Sequence, residues 1–369
     1  MKINKKINYS RIAVSYLFLG TLAIFIGLGA GTCLANTVDV NSSSELEKAI
    51  GSNISTINIK ADSITLGQKL PVINRSLVIY GKTNGSILDG NNAHKILEFS
   101  QNLNNITINN THFQRGHNED PLDEYSGGGA AHIKKGKTIL FNNTNFSNNT
   151  AVSQGGAILS LGDNSRKNSL LFNGRTTFTS NESTSGAGGA MAVWNSDLTF
   201  GGEVEFTNNK SIVGGAIYSL GDGPHKNIIL FKGKTTFTGN KSIDNESIKG
   251  YGGAMFIENS DLTFGGEAEF ENNKSNKDGG AIFSKGDAQN KNTLLFNGKA
   301  TFNGNKSTSD RGGAIFAQDS DLTFDGKTKF ENNTSKESGG AIFSMGNAQN
   351  KNILLFSREA IFTGNKSTG

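Results

Sequence analysis

Two short motifs alternate along this chain and leave few folds open to it. Gly-Gly-Ala begins at Gly128, Gly155, Gly188, Gly214, Gly252, Gly279, Gly312 and Gly339. Phe-x-x-Asn begins at Phe146, Phe178, Phe206, Phe237, Phe270, Phe302, Phe330 and Phe362, so one lies between each pair of Gly-Gly-Ala motifs and the last follows the final one. Successive Gly-Gly-Ala motifs are 27, 33, 26, 38, 27, 33 and 27 residues apart. Units this short cannot bury an apolar face alone. They become stable by stacking on copies of themselves, which makes the chain a solenoid or a propeller.

Two unit types alternate over most of the array. One reads Gly-Gly-Ala-Ile-aromatic-Ser, then Gly-Asp and Lys-Asn-x-Leu-Leu-Phe, as in 279–296. The other reads Gly-Gly-Ala-Met/Ile and then Ser-Asp-Leu-Thr-Phe, as in 252–264 and 312–324. The larger period is therefore about 60 residues, a duplicated pair. Within a unit, Gly-Gly-Ala-Ile-Phe-Ser, Asn-Thr-Leu-Leu-Phe-Asn-Gly and Ala-Thr-Phe-Asn-Gly-Asn read as three short strands separated by turn residues. Residues 128–369 contain no ten-residue stretch with helical periodicity. A propeller blade needs four strands in about 40–50 residues, and a leucine-rich repeat needs a Leu frame that is missing here. The expected fold is all-β: a right-handed, single-stranded parallel β-helix with about 30 residues per coil.

The motif residues then have physical tasks. The glycine pairs (Gly155 and Gly156, Gly214 and Gly215, Gly279 and Gly280, Gly339 and Gly340) allow a tight corner. The alanines behind them, Ala157, Ala216, Ala281 and Ala341, keep the interior narrow. Phe178, Phe237, Phe302 and Phe362 are expected to stack coil on coil inside, at the ~4.8 Å spacing of paired strands. Asn181, Asn240, Asn305 and Asn365 are expected to take left-handed corners and to bond to their neighbours above and below. The composition agrees: 47 Gly, only 3 Pro and 24 Phe suit stacked strands around one dominant core aromatic.

Residues 36–127 lack the tripeptide but share the strand style, with alternating runs at 76–81, 86–92, 95–99 and 105–113, and read as the first coils. Ahead of them, Ser44–Ile50 predicts a short helix with a Ser44/Glu47 capping box and an apolar face of Leu46, Ala49 and Ile50, placed to plug the open end of the first coil. Residues 1–35 differ in kind. Lys2, Lys5, Lys6 and Arg11 precede an uncharged stretch from Ile12 to Ala35 that ends in Cys33-Leu34-Ala35, the order of a secretory signal cleaved after Ala35. The alternative is an uncleaved anchor, because the run is long enough to span a bilayer. Thr32 and Ala30 do not suit a lipidation signal at Cys33. Of 36 Lys and Arg against 32 Asp and Glu, four bases lie in the signal, so the remainder is balanced at 32 each and carries no nucleic-acid stripe. No cysteine follows residue 33, so the exported part is held by its core and its hydrogen bonds rather than by disulfides.

With Gly-Gly-Ala-Ile at 155, 214, 279, 312 and 339 and Phe-x-x-Asn in every unit, residues 128–369 resemble the polymorphic outer membrane protein repeat family. That resemblance implies an autotransported surface protein with a β-helical passenger engaged in adhesion to host cells. It also implies export by the signal peptide to the outer membrane, the cell surface or the medium. The long alternating strands and aromatic girdles of a membrane barrel do not occur in this sequence, so attachment is expected only through a C-terminal anchor missing from it. The last residues, Phe362–Gly369, stop where earlier units begin another Gly-Gly-Ala. The expectation is a piece of a longer passenger or a truncated frame, with self-association through the bare end.

Parallel β-helices also carry polysaccharide lyases and hydrolases, so a glycan-active enzyme is the alternative to an adhesin. Such enzymes need a non-repeating carboxylate cluster. Here Asp197, Asp261 and Asp321 are equivalent repeat residues, as are Asp163, Asp222 and Asp287, which reads as turn chemistry. The expectation is therefore no catalysis and no cofactor. One stretch breaks the pattern: His112, His117, Glu119, Asp120, Asp123 and Glu124 form either a metal or carbohydrate site or a polar insertion between coils. Trp194, the only tryptophan, either stacks on a sugar or is a surface ring without a role. If Phe172, Phe231, Phe296 and Phe356 point inward, alternation turns Leu171, Leu230, Leu295 and Leu355 outward, in a row with Thr199, Thr263 and Thr323. That row either meets a partner (a host or neighbouring-cell receptor or glycan, or a second copy) or is covered by neighbouring loops.

Overall fold

The computed structural model describes residues 36–100, 105–119, 126–222, 225–287, 289–347 and 351–369; the expected signal lies outside them. In the coil that opens at Gly279 the chain runs through Ile282–Lys285, Asn292–Phe296, Ala300–Asn303 and Lys306–Ser307 before the next Gly-Gly-Ala. Each strand pairs in parallel with its equivalents in the coils before and after, without slip. Phe264, Phe296 and Phe324 are register partners, and so are Phe270, Phe302 and Phe330. Repetition yields four parallel sheets, which we call by their residues. Among the described residues the Leu-Leu-Phe face has twelve strands, the Phe-x-x-Asn face eleven, and the Gly-Gly-Ala and Lys-Ser faces nine each. The fold is a parallel β-solenoid, as the repeat predicts.

The number of strands and the place of the glycine corner differ from the sequence reading. The coil has four strands, not three, because the two residues after each motif Asn, most often Lys-Ser, form a rung too short to show any alternation. The Gly-Gly-Ala tripeptide is the corner before its strand rather than the start of it. Gly279 sits at φ +70, and the second glycine answers a different need. A Cβ on Gly280 would collide with the Gly313 carbonyl of the next coil.

Inside, two phenylalanine ladders fill the core. On the Leu-Leu-Phe face Phe264 and Phe296 stack at 4.9 Å and 13°, and on the Phe-x-x-Asn face Phe270 and Phe302 stack at 4.8 Å and 3°. The ladders meet edge to face, with Phe296 and Phe302 at 5.8 Å and 73°. These aromatic contacts contribute about 0.5–1.5 kcal/mol per pair beyond area burial. Gly-Gly-Ala alanines such as Ala281 are fully buried opposite them.

The motif asparagines do not occupy the left-handed corner. That conformation belongs to the residue before each of them, for example Asn272 at φ 54 and Gly304 at φ 65. Freed from the corner, the asparagine turns inward. Asn273 Nδ2 donates to Asn305 Oδ1 at 3.0 Å and to the Phe237 carbonyl at 2.9 Å. Its own Oδ1 accepts both the backbone N–H and the side-chain amide of Asn240 at 3.0 Å. The chain of amides runs from Asn149 to Asn365 with every link made.

The alternation of unit types also has a structural cause. At the corner between the Gly-Gly-Ala and Leu-Leu-Phe faces, Asn292 of one type donates to Ser284 at 3.0 Å and accepts the Ser260 N–H of the other type at 3.0 Å. Ser284 in turn bonds to Ser320 at 2.9 Å. Like units stacked on like would leave two amides or two hydroxyl pairs competing in a buried corner, so the complementary types alternate.

The helix forms over Ser43–Gly51, with Leu46, Ala49 and Ile50 buried in the same core as the strands. Its capping box is two residues earlier than expected. Ser42 Oγ accepts the Glu45 N–H at 3.3 Å, and Glu45 accepts the Asn41 N–H at 2.7 Å. Arg75 closes the other end through the carbonyls of Ala49, Ile50 and Ile54 at 3.0, 2.7 and 2.8 Å.

Candidate functional site

In a solenoid each outward position becomes a column, one residue per coil. On the Leu-Leu-Phe face the column reads Leu171, Thr199, Leu230, Thr263, Leu295, Thr323 and Leu355 in unbroken register. The inward partners Phe172, Phe231 and Phe296 are buried, while Leu171, Leu230 and Leu295 are half-buried and Leu355 is 47% exposed. The row therefore faces outward as alternation predicts, with a methyl-rich surface in every coil.

The repeated acids are engaged in holding coils together. Asp197 pairs with Lys167 at 2.5 Å and accepts the Ile228 N–H at 2.8 Å. Asp261 pairs with Lys226 at 3.0 Å and accepts the Thr293 N–H at 2.8 Å. Asp321 repeats the arrangement with Lys291 and the Ile353 N–H. Asp163 and Asp287 each close a local turn by accepting backbone N–H groups two and three residues on. Asp222 accepts the Asn164 amide at 2.6 Å.

The irregular stretch is brought together only in part. His117 bonds to Thr150 Oγ1 at 2.6 Å and to Glu119 at 2.7 Å, whereas His112 is half-buried beside Gly85 and its pKa is lowered by burial. Asp120, Asp123 and Glu124 lie outside the described residues. Among the described residues no three His, Cys, Asp or Glu side chains converge as metal ligands would.

The Gly-Gly-Ala face carries a feature that motif reading missed. Its first outward column reads Glu98, His132, Leu159, Ala192, Tyr218, Phe256, Phe283, Phe316 and Phe343. The last five rings form an external ladder. Phe256 and Phe283 stack at 4.9 Å and 6°, Phe283 and Phe316 at 4.9 Å and 4°. A second column passes through Trp194, Glu258, Lys285 and Gln318, and a third is the residue before each glycine pair: Gln154, Ala187, Val213, Tyr251, Asp278 and Arg311. Between these columns lies a groove of about 570 Å³. The 38-residue interval supplies part of its wall: the extra residues form a turn in which Asn245 accepts the Ile248 N–H at 2.6 Å, and Ile248 reaches the groove.

The groove's polar groups are mostly paired with each other. Arg311 meets Asp278 through Nε at 3.1 Å and its terminal nitrogen at 3.2 Å, and lies over the rings of Phe316 and Phe343 at 4.9 and 5.0 Å. Asp278 is 3% exposed, and burial raises its carboxyl above the ordinary value despite the guanidinium. Lys285 holds Glu258 at 2.6 Å. Burial, assisted by Glu258, raises the pKa of the Tyr218 hydroxyl and keeps it protonated. Trp194 donates its indole N–H to Gln154 at 2.7 Å.

The sequence model of the Chlamydia polymorphic membrane protein repeat matches this chain at residues 143–161, 203–220, 267–285, 299–318 and 327–345. These segments run from the Phe-x-x-Asn strand, across the Lys-Ser rung, into the Gly-Gly-Ala strand. No curated protein and no solved structure matches the chain significantly. A parallel β-solenoid built from this repeat fits a surface-exposed autotransporter passenger, with the outer membrane or cell surface as its suggested location. Among the described residues no helix is long and apolar enough to cross a membrane, which says nothing of strand-built barrels.

Proposed function

With repeats that match the polymorphic membrane protein family, we propose that this chain is an adhesive passenger that is exported, displayed at the cell surface and without catalysis. The observation that carries the reading is the column. On the Leu-Leu-Phe face the outward Leu/Thr position recurs once per coil at strand spacing, so that face offers a similar modest contact many times along one axis. Repetition of weak contacts suits attachment, where linked contacts multiply, better than chemistry at a single point. The repeated carboxylates support it too, because Asp197, Asp261 and Asp321 are committed to inter-coil lysines and backbone amides. The Leu171, Leu230, Leu295 and Leu355 row is one such contact surface, apolar and half-exposed along its length.

The test is attachment of protein-coated beads to epithelial cells, alongside incubation with pectin, alginate and glycosaminoglycans with and without calcium. Beads are expected to attach and the polysaccharides to stay intact. Shortened or unsaturated products would replace this reading with the glycan-active one.

A further inference from the structure

We infer that the Lys-Ser face binds a linear sulfated polysaccharide along a row of unpaired lysines. The inference extends the adhesive reading to a second face and a class of partner, and it makes no use of the leucine row. In these two-residue rungs Ser242, Ser275 and Ser307 are buried, and the lysine before each turns outward. Lys210, Lys241, Lys274 and Lys306 are successive register partners. At the usual strand spacing they set one ammonium about every 4.8 Å over a length of about 14 Å.

The fold does not require lysine in this column. Earlier coils place Thr150 and Glu182 there, and the coil after Lys306 places Thr334. Like charges directly opposite each other on paired strands are destabilising. Elsewhere lysines are matched by acids of a neighbouring coil: Lys167 by Asp197, Lys226 by Asp261 and Lys299 by Glu267. In the row, Lys210 is matched by Glu182 at 2.7 Å. Lys241, Lys274 and Lys306 form no ion pair among the described residues. Acids that follow the rungs are engaged with other groups. Asp244 meets Lys249 at 3.8 Å and accepts the Gly250 N–H at 2.7 Å, and Asp310 meets Lys277 at 3.5 Å. Glu271 lies across the left-handed corner of Asn272 and makes no ion pair with Lys274.

The shape of this charge selects the partner. The row is one residue wide, so it suits a chain, whereas an anionic bilayer is held by a broader basic patch. Its spacing is close to the advance per sugar of an extended polysaccharide, so each coil can meet one acidic group. Sulfated chains carry charge on nearly every sugar, and hyaluronate only on alternate ones. Asn208 and Asn272, exposed two residues before Lys210 and Lys274, add amides for sugar hydroxyls and sulfate oxygens. A single-stranded nucleic acid would bring bases that stack on aromatic rings, and the described rungs of this face carry none from Thr150 to Ser367.

The full-length protein is titrated with heparin, hyaluronate, a single-stranded oligothymidylate and phosphatidylserine vesicles, at low and at physiological salt. Heparin is expected to bind more tightly than the other three and to weaken as salt rises. Glutamine at Lys241, Lys274 and Lys306 together should weaken heparin binding about tenfold or more, with the melt unchanged or raised. Arginine at the same three positions should keep the binding. Glutamine at Lys48, Lys232 and Lys351, exposed lysines outside the row, removes the same charge and should change affinity less than about twofold. No heparin binding at low salt, equal losses in the two glutamine variants, or loss in the arginine variant would each overturn the inference. So would hyaluronate, the oligonucleotide or the vesicles binding as tightly as heparin. Bead attachment that persists in the face of such a failure would leave the adhesive reading standing.

Discussion

The inner and outer aromatic ladders of this solenoid share one geometry and differ in everything else. Both stack rings in register, at 4.8 Å for Phe270 and Phe302 inside and 4.9 Å for Phe283 and Phe316 outside. The inner ladder on the Phe-x-x-Asn face runs without a gap from Phe113 to Phe362. The outer column holds rings only from Tyr218 to Phe343, and earlier coils place Glu98, His132, Leu159 and Ala192 there. Parallel stacking thus permits a ladder at any column, but only the interior demands one, because an unfilled core position leaves a cavity and an unfilled surface position leaves water. A ladder that the fold does not require is where function is to be sought.

The largest expected effect breaks the inner ladder. Phe270→Asp places an unpaired carboxylate among buried rings and should cost upward of about 4 kcal/mol, whereas Phe283→Asp, next to Lys285 at the groove, should cost roughly half as much. Urea melts read with hydrogen exchange would show it, the central coils opening first in the inner variant. Equal losses would erase the distinction between the two ladders.

Next comes the amide ladder. Asn273→Ala removes the acceptor for two groups of Asn240 and the donor to Phe237 and Asn305, and should cost about 3 kcal/mol through the partners left buried and unsatisfied. Neutralising the exposed pair Lys299 and Glu267 should shift the melt hardly at all.

How much of this was legible in the chain depends on how often a position repeats. The inner phenylalanines and glycine corners recur in every unit, so their roles followed from spacing. The Lys-Ser rung, as at Lys274-Ser275, is too short for any periodicity to announce it. The true left-handed corner was written in the sequence as an alternation of Asn and Gly just before the motif asparagine, at Asn272, Gly304, Asn332 and Gly364. The groove was hidden because its three columns are far apart in each coil's sequence and vary between coils. Placing Gln154, Val213, Tyr251, Asp278 and Arg311 in one column beside Trp194 requires the register, although aligning residues on the glycine pairs would have exposed it.

A smaller effect sharpens the outer side of the comparison. Arg311→Ala strips the partner from Asp278 and should cost about 2 kcal/mol at neutral pH, since the guanidinium is itself partly exposed. Burial raises the Asp278 carboxyl, so the folded state holds a proton more tightly than the unfolded chain, and stability falls as pH rises through the folded-state value. Without Arg311 that dependence should steepen, and the variant should recover towards the parent stability in mild acid. Parallel pH profiles for the two proteins would show that the pair does not act on Asp278.

The leucine row bears on binding more than on the fold. Serine at Leu171, Leu230, Leu295 and Leu355 should leave the far-UV spectrum unchanged and the melt within about 2 kcal/mol, while reducing bead attachment or self-association. Unchanged attachment and association would remove the row from the account.

The central claim is that register turns each sequence position into a column, inward or outward as alternation dictates. Thr199 and Leu230 are outward register partners, and Leu198 pairs with Ile229 on the inner side. Paired strands hold such partners at about 4.8 Å, within reach of a disulfide. In a Cys33→Ser background, which removes the only native cysteine, Thr199→Cys with Leu230→Cys should bridge under mild oxidation. Thr199→Cys with Ile229→Cys should stay reduced, because its thiols would lie on opposite faces of the sheet. Equal bridging of both pairs, or bridging of the second alone, would contradict the register on which the core, the leucine row and the groove all depend.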